Sequence, residues 1–300
     1  MSKTFTNYND KIDFEIIVDD LLIDNGMLLS LANDFEDYKW RDDKFMHFIL
    51  NNLQYAALSA KERDSMIEKP YNAIARAINK LNLKETGGEI GEIFLYGIMQ
   101  QYYQALPVCP KIFHKQNPKD EVKGADSIHI TINDNICYLW LGESKFYTNL
   151  KEAFKDALKS VKILLSDKDK LKGENSMITN LGDLDDMAKK YNNHKSIIIN
   201  FKNFLKSNYS IDDLKKILHV PISIIHQCEK TANIKELNAD YKKTIKEFHE
   251  NESKKFLDKI IQELKDIPYI EKIQFHIILF PVPDKNQLVK KIIDKMKAIK

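Results

Sequence analysis

Apolar positions along this chain follow two rhythms. In roughly the first 85 residues, short apolar runs (FEIIVDDLLI, MLLSLA) alternate with segments spaced for one helical face (DKFMHFILNNLQYAAL, PYNAIARAINKLNL), the last opening on Pro70. KETGGEIGEIFLYGIMQQYYQAL predicts a helix from near Gly88 to before Pro107, with Ile90, Ile93, Phe94, Ile98, Met99 and Tyr102 on a broad apolar face. Three strands are expected next, near 110–115, 125–132 and 136–147, with NDN at 133–135 as a tight turn between the last two. Asn149 then offers an N-cap to a helix whose stripe is Leu150, Phe154, Leu158, Val161 and Leu165. A charged loop at 166–176 and helical segments near 180–206 and 211–218 lead to HVPISIIHQC, a buried strand. A polar helix near 236–265, the strand EKIQFHIILFPVP and the amphipathic DKNQLVKKIIDKMKAI close the chain. This order predicts a mixed α/β fold with at least one hairpin in its sheet.

Composition changes this picture little. With 43% hydrophobic and 30% charged residues in 300, the chain can bury a sizeable core and has no need of two independent folds. No run of about 18 apolar residues predicts a membrane span, and MSKTFTNYNDKIDFEIIVDD lacks an apolar signal core, so the expected location is the cytoplasm. Cys109, Cys137 and Cys228 lie far apart with no CxxC pair and read as buried thiols. Residues 1–100 hold 11 Lys/Arg against 17 Asp/Glu and the remainder 35 against 27, which directs any polyanion toward the later part of the chain.

The candidate chemistry lies in LWLGESKFY, residues 139–147. Leu139, Trp140 and Leu141 read as buried strand, yet the strand continues through Glu143 and Lys145, an acid and a base that alternation places on one face. If Asp134 and Asn135 form a two-residue turn, paired positions sum to 269 and Asp126 falls opposite Glu143, at a Cβ separation of roughly 5 Å. A three-residue turn instead sets Asp126 against Gly142. Two carboxylates that close repel unless a cation lies between them. Hard Mg²⁺ suits such a pair, and Lys145 could orient a water and offset charge on phosphoryl oxygens. Gly124 and Gly142, beside the acids, leave room for close approach. From the residues alone, a surface salt-bridge cluster competes with a metal site.

GAD followed by a strand, a turn and GESK resembles the D…ExK core of the PD-(D/E)xK nuclease superfamily, with Ala125 where the motif has Pro. More narrowly, GGEIGEIFLYGIMQQ, KGADSIHI and LWLGESKFYTNLKEAFKDAL, in this order, resemble the HamA family, nuclease-like subunits of the Hachiman antiphage system. The likeness is specific over about 85–165 and looser through 219–300. It implies a restriction-endonuclease-like α/β core over 86–300 (a mixed sheet with a central hairpin flanked by helices), preceded by an α+β region over 1–85. It also implies a metal-dependent DNA nuclease using Mg²⁺ or Mn²⁺, with Asp126, Glu143, Lys145 and Glu92 as catalytic residues, all but the lysine as ligands. The implied partner is a superfamily 2 helicase of the HamB type that senses DNA and controls cleavage, with no membrane involved.

Bland readings stand beside these. Glu89 suits a helix N-terminal turn, whereas Glu92, one turn further in, is the better fourth carboxylate. Gly97 marks close packing of its helix on the sheet. His129 faces away from Asp126 and reads as structural, as do His226 and His276 on apolar strands. Tyr147 shares the face of Lys145 and could touch substrate or merely pack. The lysines of the last helix read as a solvated face. Two other functions remain open: a non-catalytic nucleic-acid-binding or adaptor subunit, and a sensor or toxin acting through the acidic N-terminal third.

Overall fold

The computed structural model describes residues 13–23, 25–83, 86–109, 112, 124–167, 171–172, 183–207 and 209–299. Its first strands, β1 (Glu15–Ile23) and β2 (Gly26–Ala32), form an antiparallel hairpin; β3 (Phe35–Glu36) and β4 (Lys39–Trp40) make a small separate ribbon. Helix α1 (Asp42–Ala57) begins with two acids that complement its dipole and buries Phe45, Phe48, Ile49 and Leu53 at helical spacing. A capping box of Ser59 and Glu62 starts the short α2 (Ala60–Asp64), and Pro70 stands at N1 of α3 (Pro70–Asn79).

The expected apolar helix is α4 (Gly88–Gln101). It is followed by β5 (Leu106–Cys109), earlier than the expected 110–115. Gln104 adopts a left-handed conformation (φ 51°) that turns the chain straight into the strand, and Pro107 is tolerated because β5 lies at a sheet edge. Positions 110–111 and 113–115 lie outside the described residues. Strands β6 (Ser127–Asn133) and β7 (Ile136–Tyr147) are the hairpin the pattern predicts. Asp134 and Asn135 have φ of 50° and 63°, the two left-handed residues of a type I′ turn, and pairing runs from Asn133↔Ile136 to Ser127↔Gly142.

Helix α5 (Leu150–Ser166) starts at Asn149, whose side chain accepts from the amides of Lys151 and Glu152. Then come α6 (Asp183–Lys190), α7 (Lys195–Lys206), α8 (Ile211–Lys215), β8 (Leu218–Gln227), α9 (Glu229–Ala232), α10 (Ala239–Leu264), β9 (Gln274–Val282) and α11 (Lys285–Ile299). The charged loop expected at 166–176 lies largely outside the described residues.

The main sheet has seven strands in the order β1-β2-β9-β8-β7-β6-β5, with β2, β9, β8 and β7 mutually parallel and the pairs at both ends antiparallel. Helices α1, α3, α4 and α11 cover one face, where Phe14, Phe45, Phe48, Phe94 and Phe280 pack as one aromatic group. The N-terminal third therefore shares core and sheet with the C-terminal strands. Helices α5 to α8 and α10 cover the other face, with Phe154 stacked on Phe256 at 4.1 Å. Gly97 packs against Phe48 and Asn52 of α1, so its missing side chain serves a helix–helix contact rather than a helix–sheet one.

Pro221 lies inside β8, a central strand, where a missing N–H is unusual. Pairing of β8 with β7 passes from Trp140↔His219 to Glu143↔Ile222 and skips Leu141 and Gly142. A Cβ on Gly142 would collide with Ser127 Oγ and Leu95 and crowd the Pro221 ring, so only glycine fits there. The interruption falls one residue before Glu143.

Candidate functional site

Alternation along β7 sends Gly142, Ser144 and Phe146 toward α4, and Glu143, Lys145 and Tyr147 toward α5. Glu143 is 7% exposed and its cross-strand neighbour on β8 is the buried Ile222. Asp126 occupies the next step of the 269 register. Its amide donates to Gly142 O at 2.6 Å, and its Oδ2 accepts from the Ser144 amide at 2.9 Å. The Lys145 ammonium contacts Glu143 Oε1, and Ser160 of α5 hydrogen-bonds the same carboxylate.

Burial first, and then the charge of Asp126, push the Glu143 carboxyl up to about 7, against the opposing pull of Lys145 and Ser160. Burial works against the Lys145 ammonium, but Glu143 and Asp126 outweigh it and hold its pKa above the ordinary value. The cluster thus brings two acids and one base together in a shielded place. Beyond it, Tyr147 donates to Asp156 Oδ2 at 2.8 Å.

A divalent ion fits the donors present: the two carboxylates supply hard oxygen, and Mg²⁺ is commonly held by one or two carboxylates with waters and phosphate completing its shell. Among the described residues there is no group of three or more His, Cys, Asp or Glu side chains placed to hold a metal. Glu92 is the fourth carboxylate that the sequence reading names. It belongs to α4, which covers the opposite face of the sheet, with Gly91 seated against Ser144 and Phe146. Glu89 lies in the first turn of that helix, where its Oε1 accepts from the Asn82 amide at 3.0 Å.

Sequence reading missed Ser160 and Asp156. A signal existed: both lie at helical spacing with Ala153, Ala157 and Leu164, the buried face of α5, where polar residues are out of place.

A second buried polar group closes on itself. His226 Nδ1 lies 3.2 Å from Gln227 O, His226 Nε2 lies 3.0 Å from His249 Nε2, and His249 Nδ1 lies 2.7 Å from Ser30 Oγ. A carbonyl only accepts, so neutral His226 donates from Nδ1 and accepts at Nε2. His249 must then donate from Nε2 and accept the Ser30 proton at Nδ1. Burial keeps both rings neutral, lowering His226 to about 4 and His249 far below its ordinary value, the latter helped by its histidine neighbour. On the other face His219 Nδ1 meets His276 Nε2 at 2.9 Å beneath Trp140, and His129 packs on Tyr96 at 4.9 Å. The expectation of structural histidines named His129, His226 and His276, and each of these is buried in the sheet. Cys137 and Cys228 are buried free thiols; the Cys109 side chain lies outside the described residues.

Among the described residues, no helix is long and apolar enough to cross a membrane. A family model described as HamA matches residues 6–296. No curated protein matches the chain.

Proposed function

Because the chain belongs to the HamA family, components of Hachiman antiphage defence, we propose that it is a metal-dependent DNA nuclease working through Asp126, Glu143 and Lys145. The observation that carries this reading is the shielded pairing of Asp126 and Glu143 at the end of the β6–β7 hairpin, with Lys145 beside them. The proposed core is of the PD-(D/E)xK type, and the mixed sheet with its internal hairpin supports that assignment.

Asp126 and Glu143 would hold Mg²⁺ or Mn²⁺, which when bound would polarise a phosphodiester and make a water acidic enough to attack it. Each carboxylate is already oriented, Asp126 by the Ser144 amide and Glu143 by Ser160. Lys145, kept charged by its acidic neighbours, would position the attacking water and offset charge building on the phosphoryl oxygens. Buried walls on β8 and α5 limit competing solvent, which strengthens each of these interactions. The family also implies a HamB-type superfamily 2 helicase that senses DNA and holds the nuclease in check.

The test is cleavage of plasmid and linear DNA by the chain and by its complex with the helicase, in Mg²⁺ and in EDTA, alongside phage plating. Metal-dependent cleavage lost in Glu143→Gln supports the proposal. Full phage protection by Glu143→Gln would instead mark a binding subunit on a nuclease scaffold.

A further inference from the structure

Lys285 occupies a place where the fold gives a cation little reason to be. It is the first residue of α11, and a positive charge at a helix N-terminus opposes the dipole. Among the described residues no carboxylate lies within ion-pairing distance of it, whereas Lys291, two turns along the same helix, contacts Asp42. Burial pulls its pKa below the ordinary lysine value. What holds it is aromatic: its Nζ lies 5.7 Å from the centre of the Phe146 ring and 5.8 Å from that of Tyr147. Its amide is fixed by Gln227 Oε1 at 3.2 Å, and the Tyr147 hydroxyl by Asp156.

Tyr147 follows Glu143 and Lys145 on one face of β7, four residues beyond Glu143, or about 13 Å at strand spacing. That separation corresponds to a few nucleotides of a DNA strand, at about 3.4 Å each. A cation with no carboxylate partner among the described residues, braced by two rings and set beyond the reacting end of the strand, matches an anion delivered by substrate. We propose that Lys285 binds a backbone phosphate a few nucleotides from the scissile one and so sets how DNA lies across the carboxyl ends of β7 and β8. This assignment rests on the nuclease reading of Asp126, Glu143 and Lys145.

The experiment measures binding of a fluorescent DNA duplex by the full-length Glu143→Gln protein in EDTA over a series of salt concentrations. Lys285→Gln, Lys285→Arg and Lys291→Gln are compared in that background. Removing one phosphate contact should weaken binding about three- to tenfold at low salt and reduce the slope of log K against log salt by about one. Lys285→Arg should keep the slope, and Lys291→Gln should leave both quantities near the parent's. Thermal midpoints should hold or rise in Lys285→Gln, since an unfavourable cation is removed. Equal behaviour of Lys285→Gln and Lys291→Gln, or no measurable binding by the parent, overturns the assignment. Cleavage by the Glu143 protein in parallel separates the two readings: a lost slope without wild-type cleavage sinks the nuclease, and cleavage with an unchanged slope sinks only the role of Lys285.

Discussion

The acid–base end of β7 and the histidine chain joining β8, α10 and β2 lie against the same face of one sheet, and both bury polar atoms. They differ in the charge they bury. In the chain from Ser30 to Gln227 one assignment of protons gives each hydrogen bond a donor and an acceptor, with no net charge. At Asp126, Glu143 and Lys145 two acids face one base, and Glu143 responds by holding its proton to about 7. The first group is complete as folded and serves stability. The second carries charge, and it is where the proposed metal ion would bind.

The comparison breaks most visibly in activity. Glu143→Gln and Asp126→Asn should each lower cleavage by about a thousandfold or more and weaken Mn²⁺ binding by calorimetry, while thermal midpoints in EDTA stay level or rise. Lys145→Ala should keep the metal and lose most of the rate. A salt-bridge cluster predicts the reverse, a loss of about 1 kcal/mol or less in stability with phage protection intact.

His249→Ala should do the opposite of the acid variants. It strands Ser30 and His226 and leaves a cavity, costing about 4 kcal/mol in urea unfolding, with cleavage per folded molecule unchanged. Equal loss of activity per folded molecule would show that the chain reaches the site.

Dependence on pH sharpens the contrast, because the two groups carry opposite signs. His226 and His219 are neutral in the fold down to about 4, while the unfolded chain takes up protons from about 6.5; stability is therefore lost as pH falls through that window. Glu143 binds its proton more tightly folded than unfolded, about 7 against 4.5, so in EDTA stability falls as pH rises through that interval, by up to roughly 3 kcal/mol. Urea midpoints from pH 4.5 to 8 should show both slopes, and Glu143→Gln should remove only the second.

The smallest effect expected is at the interruption beside the acids. Gly142→Ala must push aside Ser127, Leu95 or Pro221, at a cost of about 2 kcal/mol, and should shift Glu143 enough to lower cleavage as well. Wild-type stability in that variant would mean that β7 and β8 separate easily there.

The parts of this arrangement that the sequence announces are the local ones. Asp134 and Asn135 specify a type I′ turn, and a two-residue turn sets the register that carries Asp126 to Glu143. Asn149 and the spacing of Leu150, Phe154 and Leu158 fix α5 in the same way. The start of β5 was misplaced because Gln104 in a left-handed conformation has no strong residue signature. Other features depend on contacts between distant segments. Helical spacing says which residues share a side of α4, but not which face of the sheet that helix covers. Ser30, His226 and His249 come from three elements, so no pattern along the chain joins them.

The placing of β9 between β2 and β8 has a consequence for how the protein is made. Ribosomes deliver the chain from its N-terminus, and the β1–β2 hairpin emerges some 240 residues before the strand it must pair with. Until residues 274–282 are free, β2 and β8 each present a bare edge, and the aromatic core lacks Phe280. Closing so long a loop is slow compared with local folding. The sheet that holds the acids and the lysine in register is therefore completed only after residue 282 has been synthesised, and a product truncated before β9 would lack the strand that joins β2 to β8.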